Sequence, residues 1–234
     1  MRDDGVSDVL DAILIIAMMV ITISILLLYG MPVIDTHQKV IRERNAVSQL
    51  VYLNEQISKV SADVFPVTST KFALSGGSLS ITDGTRITIT VRNSSGVVFQ
   101  MSDDLKSIEY SSTGFSMAIE NGGVLGDAIV SHPKMYLENG NLSVALYKIV
   151  GTGSAGGGLG GGIINVVLKF NTTETHVFNE SGNLTMELKT KYVNAWTRFL
   201  SNLGNVSVDG DEIEITIPFN RLVLTKYVVD VRFT

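Results

Sequence analysis

The most distinctive pattern in the chain is an uninterrupted apolar stretch near its N-terminus. Residues 12–34 carry no charge, and thirteen of these twenty-three residues are Ile, Leu or Val. A helix of this length spans roughly 35 Å at about 1.5 Å per residue, which exceeds the ~30 Å hydrocarbon core of a bilayer. Only Thr22, Ser24 and Tyr29 interrupt the apolar residues, so the helix has no polar face of the kind expected in a soluble protein. The pattern predicts a membrane anchor.

The flanks of the stretch distinguish it from a cleaved secretory signal peptide, whose apolar part has about 7–15 residues and precedes a small-residue cleavage site. Here the stretch runs through Tyr29-Gly30-Met31-Pro32 with no such site. Acidic residues precede it, and Lys39, Arg42 and Arg44 follow it. The positive-inside rule alone therefore places the residues after the anchor in the cytoplasm. We interpret the basic cluster as a solvated helix face in preference to a contact with anionic lipid headgroups.

Helical periodicity continues beyond the anchor. Between residues 35 and 65 the apolar positions recur at helical spacing, at Val40, Val47, Leu50, Ile57, Val60 and Val64. Pro66 is a typical helix stop. We therefore predict a hydrophobic transmembrane helix over 6–34 and an amphipathic stem helix over 35–65, with Gly30–Pro32 as the candidate position for a kink.

After Pro66 the apolar period becomes two, which is typical of half-buried strands. Alternation is clear at residues 86–91, 142–147, 184–189 and 212–217, and residues 219–233 supply one or two further strands. Turns rich in Gly, Asn and Ser separate them, for example Asn93-Ser94-Ser95-Gly96. We expect an α+β protein: a long N-terminal transmembrane and stem helix, then an antiparallel β-sandwich-like domain at 66–234 with one short helix.

The short helix is predicted at residues 192–203, where one face carries Trp196, Phe199, Leu200 and Leu203. Trp196 is the only tryptophan of the chain. A side chain of this size in such a pattern is typical of a core anchor beneath a sheet, and we favour that role over ligand stacking.

A glycine-rich segment at residues 151–162 formally contains a dinucleotide-binding fingerprint, Gly151-Thr152-Gly153-Ser154-Ala155-Gly156. That fingerprint requires a helix directly after the glycines, within a βαβ unit. Residues 163–170 instead have the pattern of a strand, and the chain contains no Gly-Lys-Ser/Thr P-loop sequence. We therefore predict a flexible inter-strand loop and no cofactor.

No motif for catalysis or metal binding is present in the sequence. His37, His132 and His176 are widely separated and have no metal-ligand spacing. The pairs Asp103-Asp104 and Asp209-Gly210-Asp211 are typical of solvated turns, although a weak cation site at the second is an alternative. We expect no catalytic residue, no metal and no enzymatic activity.

Composition narrows the class of protein further. The chain has no cysteine and a net charge of −5, which excludes disulfides and thiol catalysis and disfavours nucleic-acid binding. Six N-x-Ser/Thr acceptor motifs exceed the roughly two or three expected by chance, and they begin at Asn93, Asn141, Asn171, Asn179, Asn183 and Asn205. We interpret them as glycosylation candidates on an extracellular domain.

The N-terminal sequence Asp4-Gly5-Val6-Ser7-Asp8-Val9-Leu10-Asp11-Ala12-Ile13, followed by the apolar stretch, resembles the class III signal segment of archaeal type IV pilins. The segment around Ala195-Trp196-Thr197-Arg198-Phe199 is similar to sequences of uncharacterised archaeal pilin-like surface proteins. The resemblance implies a leader at residues 1–5, cut by a prepilin peptidase between Gly5 and Val6. It also implies a cytoplasmic N-terminus and an extracellular domain. The family usually carries Lys or Arg before the glycine, where this chain has Asp3 and Asp4.

These observations favour a type IV pilin-like subunit with a structural or adhesive role, held in the cell membrane by a single span and then assembled into a surface filament. Its expected partners are membrane lipid, the prepilin peptidase and other pilin subunits, and the large domain suggests a minor or specialised pilin. The main alternative is a signal-anchored surface protein that binds a ligand and never polymerises. A membrane-tethered enzyme is the least favoured alternative.

Overall fold

The computed structural model describes residues 4–62, 64–157 and 161–234, with side chains from residue 12 onward. Residues 1–3 of the expected leader and residues 158–160 of the glycine-rich segment lie outside the described residues. The chain divides into two compact units, Met1–Asn45 and Ala46–Thr234.

Helix α1 (Asp4–Ser61) contributes to both units, and Pro32 lies inside it. It is long and apolar enough to cross a membrane, with a mean hydropathy of 2.8 in its most apolar window. The helix ends at Ser61, four residues before the predicted end of the stem at 65. Its last four turns, from Ala46 onward, belong to the second unit.

The second unit consists mainly of strands and has one short helix, α2 (Val193–Leu200), which confirms the expected α+β composition. Helix α2 is shorter than the predicted 192–203. The strands are β1 (Val67–Ala73), β2 (Ser78–Asn93), β3 (Gly96–Ser112), β4 (Phe115–Glu120), β5 (Gly123–Leu125), β6 (Ile129–Ser131), β7 (Met135–Glu138), β8 (Asn141–Val150), β9 (Ser154–Gly156), β10 (Ile163–Phe178), β11 (Gly182–Lys189), β12 (Asn205–Asp209), β13 (Glu212–Phe219) and β14 (Arg221–Phe233).

The strands form two sheets. The smaller sheet has the order β1-β10-β14-β8-β7, and the larger has the order β12-β13-β11-β2-β3-β4-β5-β6, with β9 pairing to β2. The sheets are not wholly antiparallel as predicted, because β8 and β14 pair in parallel from Asn141↔Arg221 to Val150↔Asp230. A parallel pair needs a long crossover connection, and the intervening strands and α2 provide it.

A one-residue bulge in β2 reverses the buried face of the larger sheet. Gly84 is the extra residue, inserted between the pairs Asp83↔Lys106 and Thr85↔Leu105. Leu79 before the bulge and Ile87 after it would lie on the same face of a regular strand. Because the bulge inserts one residue, they point to opposite faces and enter different hydrophobic clusters.

The first cluster, core 1, combines side chains of both sheets with the apolar face of α2. It includes Ile89, Leu146, Met186, Ile215 and Leu224, and Trp196 of α2 is fully buried among them. The predicted role of Trp196 as a core anchor is therefore confirmed.

The second cluster, core 2, contains the last turns of α1. Leu50, Leu53 and Ile57 are buried there against strand side chains such as Tyr110 and Val231. Burial of each of these helical side chains stabilises the fold by roughly 1.5–3 kcal/mol, so the helix end is an integral part of the domain core.

Two sequence predictions are corrected by the strands. The pair Asp103-Asp104 lies inside β3 and does not form a solvated turn, because the alternation of a strand accommodates one inward and one outward carboxylate. Part of the glycine-rich segment, Ser154–Gly156, is strand β9 paired to β2 and is not a loop.

The bulge generates a testable prediction. A Cβ on Gly84 would lie 2.4 Å from the backbone carbonyl oxygen of Leu105 and 2.9 Å from the backbone nitrogen of Ser107. We expect Gly84→Ala to lower the free energy of unfolding by roughly 2 kcal/mol or more, because backbone atoms must move. Urea unfolding of the detergent-solubilised chain, followed by tryptophan fluorescence, measures the effect.

Gly156→Ala is the matched control, since a Cβ there would meet nothing within 4 Å. Equal unfolding midpoints for the two variants would contradict the role assigned to the bulge.

Candidate functional site

The most unusual surface of the chain is the apolar segment of α1, residues 12–34. Its large hydrophobic side chains from Ile13 to Ile34 are each 51–70% exposed. Soluble monomeric proteins rarely expose a continuous apolar surface of this extent, which is typical of contact with lipid or with another protein. The segment is therefore the first candidate functional site.

The hydroxyl groups of Thr22 and Ser24 within this segment are already paired with the backbone of the helix. Thr22 donates a hydrogen bond to the carbonyl of Met18 at 2.8 Å, and Ser24 donates to the carbonyl of Val20 at 2.7 Å. An unsatisfied polar group in a hydrocarbon environment costs several kcal/mol. With these donors paired, the segment is compatible with lipid tails and with the apolar surface of a neighbouring helix.

The basic residues that follow the segment have partners on the helix. Lys39 Nζ lies 3.8 Å from a carboxylate oxygen of Glu43, and Arg42 Nε donates to the carbonyl of Gln38 at 3.2 Å. These contacts are typical of an exposed helix face, where such pairs contribute only a few tenths of a kcal/mol.

Polar contacts reinforce the attachment of α1 to the domain. Gln49 binds both backbone groups of Ala73: its Oε1 accepts from the Ala73 nitrogen at 2.5 Å, and its Nε2 donates to the Ala73 carbonyl at 3.3 Å. Asn54, which is buried, donates from Nδ2 to the carbonyl of Gly122 at 3.0 Å. The helix is thus fixed in register against the end of β1 and against the turn after β4.

The turn that receives Asn54 is itself buried. Asn121 and Gly122 both have positive φ, +46° and +72°, as expected for an Asn-Gly turn between antiparallel strands. Asn121 Oδ1 accepts a hydrogen bond from the backbone nitrogen of Tyr147 at 2.9 Å, which ties the turn to β8. The turn therefore connects α1 with both sheets.

The residue before this turn, Glu120, is a buried carboxylate with only 1% of its surface exposed. Its Oε1 accepts hydrogen bonds from Trp196 Nε1 at 2.8 Å and from Thr190 Oγ1 at 2.7 Å, and it also accepts from Thr85 Oγ1. These donors lie on α2, on the segment before α2 and on β2. Glu120 therefore holds α2 against the larger sheet.

Glu120 also lines a cleft of about 580 Å³ whose rim carries basic and acidic side chains. Four charges of the rim form two pairs: Arg86 Nε lies 2.7 Å from Asp104, and Lys189 Nζ lies 3.4 Å from Asp211. The hydrogen bond from Arg86 lowers the pKa of the Asp104 carboxyl. The cleft thus presents paired charges, which suits a structural role better than binding of a charged ligand.

A cluster of Ser116, Tyr192, Lys191 and Glu109 contains hydroxyl and amine groups that could serve as nucleophiles. Ser116 Oγ donates to Glu109 at 2.9 Å and lies 3.5 Å from the Tyr192 hydroxyl. Burial raises the pKa of Tyr192. Burial opposes the charge of Lys191, but the hydrogen bond to Glu109 and the electrostatic attraction to Tyr192 and Glu109 together outweigh it and raise the pKa of Lys191. Amine and phenol nucleophiles are activated when their pKa is lowered. Here the pKa values of Lys191 and Tyr192 are both raised, so neither group is activated.

Asp103, the inward-pointing residue of the Asp103-Asp104 pair in β3, forms ion pairs with strands of the other sheet. Asp103 accepts from Lys148 of β8 at 2.5 Å and lies 3.6 Å from Lys226 of β14, which in turn pairs with Glu174 at 2.9 Å. Its side chain is only 13% exposed. The hydrogen bond to Glu174 raises the pKa of Lys226. From the sequence alone, this partly buried carboxylate was expected in a solvated turn.

The three histidines lie in different environments. His37 is in α1, His132 is 5.8 Å from the ring of Phe199, and His176 is 4.5 Å from the ring of Phe99, measured between ring centroids. Among the described residues no group of three metal-binding side chains occurs. Asp209 and Asp211 flank the turn at Gly210 between β12 and β13, as predicted.

The six acceptor asparagines all lie on the second unit, and five of them are exposed. Asn93 is half-buried, and its Nδ2 donates to Glu180 at 2.8 Å. Asn171 donates to Asp230 at 3.0 Å. The other four are Asn141, Asn179, Asn183 and Asn205.

The residues of the expected leader cleavage site, Gly5 and Val6, lie in the first turns of α1, where the backbone is described.

Sequence reasoning missed Glu120 and Asn54. The dipeptide Asn121-Gly122 was the available signal, because Asn-Gly strongly favours a two-residue hairpin turn. It would have identified the turn, although not its burial or its contacts with α1 and α2.

The Glu120 site generates a testable prediction. Glu120→Ala leaves the buried Trp196 and Thr190 donors without an acceptor, so we expect the free energy of unfolding to fall by roughly 2–5 kcal/mol. Urea unfolding measures the loss, and the near-ultraviolet circular dichroism of Trp196 reports whether α2 stays in place. Glu187→Ala removes an exposed strand glutamate and is the control. Equal stability of the two variants would contradict the prediction.

Comparison with known proteins gives one match. The sequence model of a family of unknown function, DUF7289, matches residues 5–232. No curated protein and no solved structure shows a significant match to the chain. Because the match covers nearly the whole sequence, the chain belongs to the DUF7289 family of unknown function.

Proposed function

We propose that this protein is a membrane-anchored, type IV pilin-like subunit whose helix α1 serves first as the membrane anchor and then as the contact between subunits of a surface filament. The supporting observation is that the two ends of α1 lie in different environments. Residues 12–34 expose mainly apolar surface, with the Thr22 and Ser24 hydroxyls paired inside the helix, whereas residues 46–61 are built into core 2 of the domain.

Helix packing supplies the driving force in this proposal. Lipid tails are as apolar as the side chains of the segment, so association in the membrane must come from close packing rather than from removal of water. Outside the membrane, the same surface would face water unless neighbouring copies cover it. With about 25 cal/mol for each Å² of apolar surface buried, such burial strongly favours the assembled state.

The proposed orientation has a cytoplasmic N-terminus, an extracellular domain at 66–234 and glycans on its acceptor asparagines. The two sheets, which share core 1, are compatible with the sandwich-like architecture expected for such a domain. The exposed acceptor asparagines support the outside location, since an oligosaccharide requires accessible side chains.

Processing of the leader is the first test. We expect the mature protein to begin at Val6, because the pilin-like segment places the cut after Gly5. In the family that the segment resembles the peptidase cuts after glycine, so Gly5→Val should leave residues 1–5 attached. Mass spectrometry of the protein from a host with the prepilin peptidase measures both masses.

Gly30→Val is the control for this experiment. Gly30 lies in the same helix, and a Cβ there would meet nothing within 4 Å, so this variant should be processed like the wild type. A wild-type protein that retains residues 1–5 would instead favour the signal-anchored, non-polymerising surface protein.

Assembly is a separate test. Because the sequence contains no cysteine, an introduced cysteine is the only thiol of the chain. A single cysteine at Ile21 or Leu26 should give disulfide-linked dimers on mild oxidation of isolated filaments, because apolar faces of neighbouring helices lie in contact. A cysteine at the exposed Glu187 of β11 is the control and should give few dimers. Absence of cross-links at every position tried along 12–34 would contradict assembly through α1.

A further inference from the structure

Strand β10 has an open edge over its second half. Strand β1 pairs with it only as far as Lys169, whereas β14 pairs with it through to Phe178. Within the described part of the chain, the backbone groups of residues 172–178 on the β1 side therefore have no neighbouring strand. Residues 171–177 are all exposed, and within this segment the ring of His176 lies 4.5 Å from the ring of Phe99 of β3. At about 3.4 Å per residue the edge is roughly 23 Å long.

The composition of this edge favours pairing with another strand. The sequence Thr172-Thr173-Glu174-Thr175-His176-Val177-Phe178 is rich in β-branched and aromatic residues and contains neither Pro nor Lys. Its one acidic side chain, Glu174, is already paired with Lys226 at 2.9 Å. Segments of six or seven residues with high β-propensity and little net charge are the typical sites of edge-to-edge association.

Other outer strands of the two sheets carry protection that this edge lacks. Strand β1 contains Lys71 and follows Pro66, β7 contains Glu138 and β12 ends at Asp209. Strand β6 has only three residues. Short length, charge and proline are the usual means by which proteins prevent pairing at a sheet edge.

Two glycosylation motifs bracket the open edge of β10. Asn171 lies at the bulge immediately before it, and Asn179 directly follows Phe178; both are exposed. A glycosylated asparagine keeps one N–H, so the hydrogen bond from Asn171 Nδ2 to Asp230 can persist. A strand added to β10 would lie only about 4.8 Å from its backbone, within the space that bulky, hydrated sugars at both ends would occupy.

We propose that N-linked glycans on Asn171 and Asn179 shield the open edge of β10 and prevent it from pairing with the same edge of a second copy. This proposal rests on the extracellular location given under the proposed function. In the modification, each asparagine Nδ2 loses a proton and forms a bond to the anomeric carbon of a sugar. The bond between that carbon and the phosphate of a lipid-linked oligosaccharide donor breaks, and the donor's lipid phosphate leaves.

The test removes both glycans without changing either asparagine. Thr173→Ala combined with Ser181→Ala destroys the two acceptor motifs and keeps the Asn171–Asp230 hydrogen bond. Glycopeptide mass spectrometry of the full chain, purified in detergent from the cells that make it, should show sugar on Asn171 and Asn179 in the wild type. The double variant should lose both glycans, and multi-angle light scattering should show a doubled protein mass per particle.

The matched control is Ser143→Ala combined with Thr185→Ala, which removes the motifs at Asn141 and Asn183. These two asparagines pair with a strand on each side, so no edge is uncovered and the particle mass should equal that of the wild type. Adding Thr175→Lys to the variant that lacks the edge glycans should restore the wild-type particle mass, because a lysine on the edge blocks strand addition.

Unmodified Asn171 and Asn179 in the wild type would overturn the proposal, and so would an unchanged particle mass after their glycans are lost. Equal association of the control variant would overturn it as well. These outcomes are independent of leader processing and of cross-linking through α1, so failure here is distinguishable from failure of the proposed function.

Discussion

The burial of the last four turns of α1 in core 2 is the constraint on which the rest of the domain depends. Leu50, Leu53 and Ile57 fill the space between strands of both sheets, and removal of the helix would expose that cluster to water. The polar contacts fix how the helix sits, since Asn54 reaches the buried turn at Gly122. The last turns of α1, from Ala46 onward, are therefore part of the domain itself.

The larger sheet contributes side chains to both core 1 and core 2, because the bulge at Gly84 reverses the face of β2 that is buried. Before the bulge, β2 faces the helix of core 2, and after it the strand faces α2 and the smaller sheet in core 1. Glu120 and the Asn121-Gly122 turn lie where these regions meet. Contacts from Glu120 to α2 and from the turn to α1 therefore link both cores through three consecutive residues. These hydrogen bonds offset the cost of burying the polar atoms that take part in them.

Local patterns predicted the elements of this fold, and long-range contacts determined what the sequence did not reveal. The apolar stretch at 12–34 and the alternation of the later strands follow from composition and period alone, so both were recognised. Asp103 was misread because two adjacent aspartates are typical of a turn, whereas its partner Lys148 is 45 residues away. Glu120 carries no local signal, since its donors lie 35, 70 and 76 residues distant. Leader cleavage, assembly and glycosylation remain predictions.

The contact between Gln49 and Ala73 has a mechanical consequence. Tension applied along α1 enters the domain at its first embedded residues, and there the helix is held to the end of β1 by two hydrogen bonds between one amide side chain and one residue's backbone. The same part of the helix is also held by the apolar contacts of Leu50 and Leu53 in core 2, so a pull on it is shared among several interactions at once.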